Sequence, residues 1–180
     1  MAYPTDSCYA LGCRMGDKLA VDRIRSIRDI DDRHPLALLC RDLAEVAAYA
    51  RLDDNQYHVL KKALPGVYTF ILRATRELPR RLQHPRRKTI GVRLPAHPVT
   101  RALLAELGEP ILSSTLMLPG DGAPLVDAQE IRERAEHQLD LIIDSGSCGT
   151  EPTTIVDLTG GSPVITRQGK GPADIPGARV

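Results

Sequence analysis

TIGVRLPAHPVTRALLAELGEPILSST, residues 89–115, holds a strand, a helix and a second strand in one unbroken run. Residues 89–94 (TIGVRL) are short and rich in β-branched side chains, the composition of a strand. His97-Pro98 then opens a helix. Proline sits in its first turn, Ala102, Leu103 and Leu107 form an apolar face, and Gly108 follows the end. Residues 110–118 (PILSSTLML) return as a strand that stops at Pro119-Gly120-Asp121-Gly122.

The same reading extends outward from this unit. Residues 67–74 (VYTFILRA) form a strand, and Leu36 to Cys40 is a compact apolar run suited to a buried one. Asp17 caps a helix with Ala20, Ile24 and Ile27 at helical spacing. Asp42 with Glu45, and Asp127 with Glu130, are capping-box pairs at the starts of two more helices, the second running to about Leu139. A helix around residues 54–64 stops at Pro65-Gly66. Residues 2–5 read as a strand end entering the polar turn Thr5-Asp6-Ser7, and three short strands follow at Leu141–Ile143, Thr154–Leu158 and Val164–Arg167. Strands and helices are interspersed without strict alternation, which predicts an α/β fold with a mixed sheet flanked by helices. One domain over residues 4–171 and a flexible tail over 172–180 are expected.

Composition narrows the function. A chain of 180 residues with 42% apolar and 26% charged side chains buries a core unaided. With no Trp and one Phe (Phe70), it lacks the surface aromatics on which single-stranded nucleic acid stacks. Net charge is +1, but Arg80, Arg81, Arg86, Arg87 and Lys88 are crowded together. That run is either a solvated loop or a surface for phosphate, RNA or an acidic partner. Cys8, Cys13, Cys40 and Cys148 have neither disulfide-framework nor zinc-site spacing, so free thiols in a reducing cytoplasm are expected. No apolar run approaches the ~20 residues of a membrane span, and the chain begins almost directly on a motif, without a signal peptide.

No phosphate-loop, dinucleotide or zinc-protease motif is present. Asp144 to Gly149 resembles a hydrolase elbow only in its serines and glycines, since the strand-to-helix context is missing. Gly169-Lys170-Gly171 reads as tail rather than phosphate cradle. What remains is polar residues set into apolar strands: Thr5, Asp6 and Ser7; Thr89 and Arg93; Ser113, Ser114 and Thr115; Thr153 and Thr154; and Arg167. Hydroxyls and arginines converging from five strand ends suit an anionic ligand, because guanidinium offers paired planar donors to carboxylate or phosphate.

The segment PTDSCYALGC (4–13) resembles the opening motif of the YrdC/YciO family. YTFILRAT (68–75), TIGVRLPAHP (89–98), PILSST (110–115), TTIVD (153–157) and VITRQG (164–169) follow in the family's order. Ser7-Cys8, RKTIG and SSTLMLPG place it closest to the YciO branch. The resemblance implies a twisted mixed sheet around a positively charged concave site. It also implies condensation of threonine, bicarbonate and ATP to threonylcarbamoyl-adenylate, as in threonylcarbamoyl-AMP synthases, for tRNA modification. ATP would be a substrate, with Mg2+ accompanying it. By motif match, Ser7, Arg93 and Thr153 would meet threonine; Arg28, Thr89, Thr115 and Arg167 would meet the nucleotide; Ser113 would lie on the shared wall.

Two family motifs are altered. In the Lys-x-Arg pair the lysine falls on Arg28 and the arginine on Ile30, with Arg25 and Arg33 nearby to compensate. Asn-Pro-Leu becomes His34-Pro35-Leu36, a following histidine falls on Leu39, and Ser-x-Asn becomes Thr115-Leu116-Met117. Weak activity is therefore expected. The alternative is a paralogue that binds double-stranded RNA or another nucleotide, with Arg80, Arg81, Arg86, Arg87 and Lys88 as its RNA surface.

Overall fold

A computed structural model describes residues 1–179. Its strands are β1 (Ala2–Tyr3), β2 (Ala10–Arg14), β3 (Ala37–Leu39), β4 (Tyr68–Arg73), β5 (Thr89–Arg93), β6 (Ile111–Thr115), β7 (Thr154–Asp157) and β8 (Val164–Arg167). Its helices are α1 (Lys18–Arg28), α2 (Leu43–Tyr49), α3 (Asp54–Ala63), α4 (Pro98–Leu107) and α5 (Ala128–Ala135). All eight strands join one sheet in the order β1-β2-β6-β3-β5-β4-β7-β8. The pairs β3–β5 and β4–β7 are parallel and the others antiparallel, so the sheet is mixed as expected.

Local chemistry sets the helix ends. The Asp17 carboxylate accepts from Ala20 N at 2.9 Å, and α1 closes on Asp29 in the left-handed region. Asp53 and Gln56 form a reciprocal capping box on α3. The other two pairs are half-boxes. Asp42 and Asp127 cap as expected, but Glu45 reaches Arg41 N and Glu130 reaches Val126 N, one residue before each cap.

The two faces of the sheet differ. Phe70, Leu72, Ile90, Val92, Leu38 and Leu112 share the main core with Val21, Ile24 and Ile27 of α1, Val46 of α2, Leu60 of α3 and Ile131 of α5. A smaller core, Tyr3, Ala10, Leu39, Leu104 and Ile111, lies under α4 on the opposite face. Strand pairing carries that second face across the sheet. Arg93, Leu39 and Ile111 occupy one level, and Gly91, Ala37 and Ser113 lie two residues further along. Thr89 and Thr115 extend the same face by two more. Away from α4 this face is lined by small residues, hydroxyls and one arginine.

Three expectations need correction. The strand β2 was not anticipated, because ALGCR carries no β-branched residue. Leu141–Ile143 forms no named strand; it contributes one bridge, Ile142 to Ala2, at the sheet's outer edge. The sequence also leads one to expect residues 2–7, 89–93, 111–115 and 153–157 on neighbouring strands around one cavity, but β3 separates β5 from β6 and β4 separates β5 from β7. Residues 172–179 run beside β8. Ile175 is buried, Tyr68 donates to Pro172 O, and Arg179 exchanges backbone hydrogen bonds with Pro163 and Ile165.

Candidate functional site

The turn after β1 brings the first groups together. Thr5 Oγ1 donates to Cys8 O at 2.7 Å and lies 3.1 Å from Ser7 Oγ, and all of these are buried. Arg93, at the end of β5, reaches into the turn. Its Nη2 is 3.4 Å from Ser7 Oγ and 4.0 Å from the Asp6 carboxylate. Its side chain is only 8% exposed, yet Nε is buried with no hydrogen-bond partner. A native buried donor is normally satisfied. An unsatisfied one at the end of a polar face is a donor open to a water or to a ligand acceptor.

Further cations surround that spot. Arg167 of β8 donates to Thr153 O at 2.8 and 3.3 Å and lies 3.4 Å from Thr153 Oγ1, which is 2.7 Å from Thr69 Oγ1. Lys170 Nζ donates to Asp6 O at 2.6 Å. At the end of α1, Arg28 donates to Ser114 Oγ at 2.7 Å and leaves its own Nε unpartnered. Burial lowers the pKa of both Arg28 and Arg167, and Cys8 acts on each in the opposite sense, which puts the three groups within electrostatic reach of one another. Arg93 lowers Arg167 further. The His34 imidazole is pushed down by burial, and again by Arg28 and Arg167. A bound anion would relieve this crowding of positive charge.

The residues expected at the site separate into two groups. Ser7, Arg93, Thr153 and Arg167 gather at one end of the polar face. Thr89 and Thr115 lie at the other, four residues or ~13 Å along the strands. Ser113 lies between them and accepts from Tyr3 OH at 2.7 Å. Burial drives that phenol up to about 12, so it stays a neutral donor. Arg28 is held by Ser114, which points to the opposite face from Ser113. Lys170, read from the sequence as tail, instead reaches the Asp6 carbonyl; Cys8 and His34 entered the sequence reading only through motif matches, and Thr69 was not singled out.

Gly169 holds this corner together. A Cβ there would lie 2.2 Å from Pro152 O and 2.7 Å from Thr153 O, and backbone atoms cannot swing aside. We expect Gly169→Ala to lower stability by about 2 kcal/mol or more, roughly 4–8 °C in melting midpoint. An unchanged midpoint would show that the 167–170 segment is free to shift.

The basic run does not form one uniform surface. Arg81 Nη2 is spent on Met15 O and Gly16 O, and Arg87 lies 3.7 Å from Asp157. Arg80, Arg86 and Lys88 are exposed and, among the described residues, make no ion pair. Among the described residues no helix is long and apolar enough to cross a membrane.

One end of the hydroxyl-lined face of the sheet thus gathers Arg93, Arg167 and Lys170, with Arg28 held by Ser114 on the other face. The chain belongs to the Sua5/YciO/YrdC family, whose sequence model, described as "Telomere recombination", matches residues 1–169. It is 50% identical to the uncharacterized protein YciO of Escherichia coli over 171 residues, 95% of this chain and 83% of that one. The crystal structure of that protein superposes with a TM-score of 0.92, covering 96% of this chain and 84% of the other. A threonylcarbamoyl-AMP synthase of Idiomarina loihiensis is 32% identical over 162 residues, 87% of this chain and 86% of that one. Sua5 of P. abyssi, crystallised in complex with L-threonine, superposes at 0.85 with 27% identity, covering 93% of this chain and 49% of Sua5. The chain thus spans about half of Sua5.

Proposed function

We propose that this chain binds L-threonine and ATP along its polar face and makes threonylcarbamoyl-adenylate at low rate, for modification of tRNA. The observation that carries the reading is the buried, unsatisfied Arg93 Nε beside Ser7. The similarity to a synthase and to a threonine-bound Sua5 supports it. The threonine carboxylate would take the free donors of Arg93 as a paired, charge-assisted contact. Ser7 and Thr153 would orient its amine and hydroxyl. Thr89 and Thr115 would hold the nucleotide at the other end of the face.

The chemistry needs no protein nucleophile. The threonine amine condenses with bicarbonate to a carbamate, the oxygen of the C–O bond that breaks leaving as water; a carbamate oxygen then attacks the α-phosphorus of ATP and pyrophosphate leaves. The protein's part is to align carbamate and phosphate and to place Arg28 and Arg167 where negative charge accumulates. Among the described residues no three His, Cys, Asp or Glu side chains converge on a metal. Magnesium arriving with ATP would be held mainly by phosphates and water and would neutralise charge on the nucleotide.

Calorimetric titration tests the reading directly. ATP should bind, and threonine should bind more tightly in its presence. Failure of both ligands to bind would remove the synthase reading. A paralogue binding double-stranded RNA over Arg80–Lys88 would then take its place.

A further inference from the structure

Behind His34 lies a second basic region to which no role has been assigned above. A narrow slot of about 10 Å³, room for one water, runs between the 32–36 loop and the segment 81–85. Arg25, Arg33, His34 and Arg81 line it, against one carboxylate, Asp32. It adjoins a wider basin of about 300 Å³ lined by Arg33, His84, Pro85 and Arg86. That volume is at the lower end of small-molecule clefts, ~300–1,000 Å³.

The basin is built rather than incidental. His84 N donates to Thr89 O and Lys88 N donates to His84 O, which closes the 84–89 loop on itself. His84 Nδ1 accepts from Arg86 N and Arg87 N, so the proton of the neutral ring sits on Nε2, as a donor. Arg81 ties this segment to the β2–α1 turn through Met15 O and Gly16 O. Arg33 and Arg86 form no side-chain ion pair among the described residues, although the Asp31 carboxylate accepts from the Arg33 and His34 amides; Arg25 Nη1 lies 3.8 Å from Asp22, and its Nε is buried without a partner. His34 is common to both regions: it lines the slot, and it lies within electrostatic reach of Arg28 and Arg167.

We propose that this basin is a condensed-phosphate site, receiving the terminal phosphates of ATP, or free pyrophosphate, on Arg33, His84 and Arg86. The inference rests on the nucleotide reading above and deepens it. Arg33 would supply on this side the positive charge that Ile30 does not. Two guanidiniums and an imidazole N–H from two segments suit a polyanion that offers several acceptors at once.

The test is calorimetry on the full chain with pyrophosphate, AMP, ATP, threonine and a short double-stranded RNA. The double variant Arg33→Gln, Arg86→Gln changes exposed side chains, and Lys61→Gln, Lys62→Gln on α3 controls for general charge loss. We expect the first variant to lose at least tenfold in affinity for pyrophosphate and ATP, with AMP and threonine within twofold and the control unchanged. Pyrophosphate binding that is absent from the wild type, unaffected by the variant, or equally weakened in the control overturns the proposal. So does a variant that loses RNA alone. If AMP and threonine bind while ATP binds no better than AMP, the basin fails and the synthase reading stands. If pyrophosphate needs Arg33 and Arg86 while threonine and AMP do not bind, the basin stands and the synthase reading fails.

Discussion

Arg93→Ala should weaken threonine binding by about tenfold to a hundredfold while shifting the melting midpoint little. The side chain is almost fully enclosed, but its contacts are poor: 3.4 Å to Ser7 Oγ, 4.0 Å to Asp6, and an Nε with no partner. A buried charge so weakly satisfied gains little from the folded state, and its removal relieves a desolvation cost. With a carboxylate in place the balance reverses. A hydrogen bond to a charged group contributes ~1.5–3 kcal/mol, and each 1.4 kcal/mol is tenfold in affinity. Stability should therefore move by less than about 1 kcal/mol while affinity falls by one to two orders. Titration calorimetry and thermal melting of the same preparation separate the two effects. If the midpoint collapses and threonine affinity holds, Arg93 is a structural residue and the assigned carboxylate contact is wrong.

How much of this could be read from the sequence depends on what each residue's role requires. Arg93 was legible because Val92 and Leu94 flank it: period-two alternation sends it away from the face they bury, and the pairing register agrees. Caps at Asp17, Asp42 and Asp127 were legible because a carboxylate three residues before an N–H has one good use. The strand β2 was not, since its composition answers to neighbours rather than to propensity. A Cβ on Gly12 would come within 2.5 Å of the Tyr3 ring, so the strand needs glycine where a β-former would otherwise stand. Lys170 was hidden for a related reason. The loop after β8 is fixed by contacts of Gly169 and Gly171 with residues 152–154 and Tyr68, all distant in sequence. Gly-Lys-Gly near a chain end carries no local sign of that. The basic run kept both of its readings, since all five of its side chains are exposed while Arg81 and Arg87 also hold partners at Met15, Gly16 and Asp157 that adjacency in sequence does not show.

The double variant Ile30→Arg, Met117→Asn should raise pyrophosphate release that depends on threonine and bicarbonate by one to two orders of magnitude. Both positions stand where the family pattern carries a donor. Loss of one donor to charge developing on a phosphate costs ~3–4 kcal/mol in the transition state, several hundredfold in rate. Two donors acting on one transition state do not add, and in the roles proposed for them Arg28 and Arg167 would cover part of the charge, so the gain should fall below the product. The structure separates the risks at the two sites. Met117 is half-buried beside Thr115 and outside both apolar cores, whereas its neighbour Leu116 is fully enclosed. Asparagine should be tolerated there. Ile30 packs partly against the main core just after the α1 cap, where its N–H donates to Arg25 O. Arginine at this position gives up some apolar contact, a cost of about 1 kcal/mol if its stem stays on the core and its head reaches water. Melting curves on both single variants identify any loss of fold, and Met117→Asn alone should give a smaller gain than the pair. A wild type that binds no ATP, together with a folded double variant that releases no more pyrophosphate, would end the synthase reading for this chain.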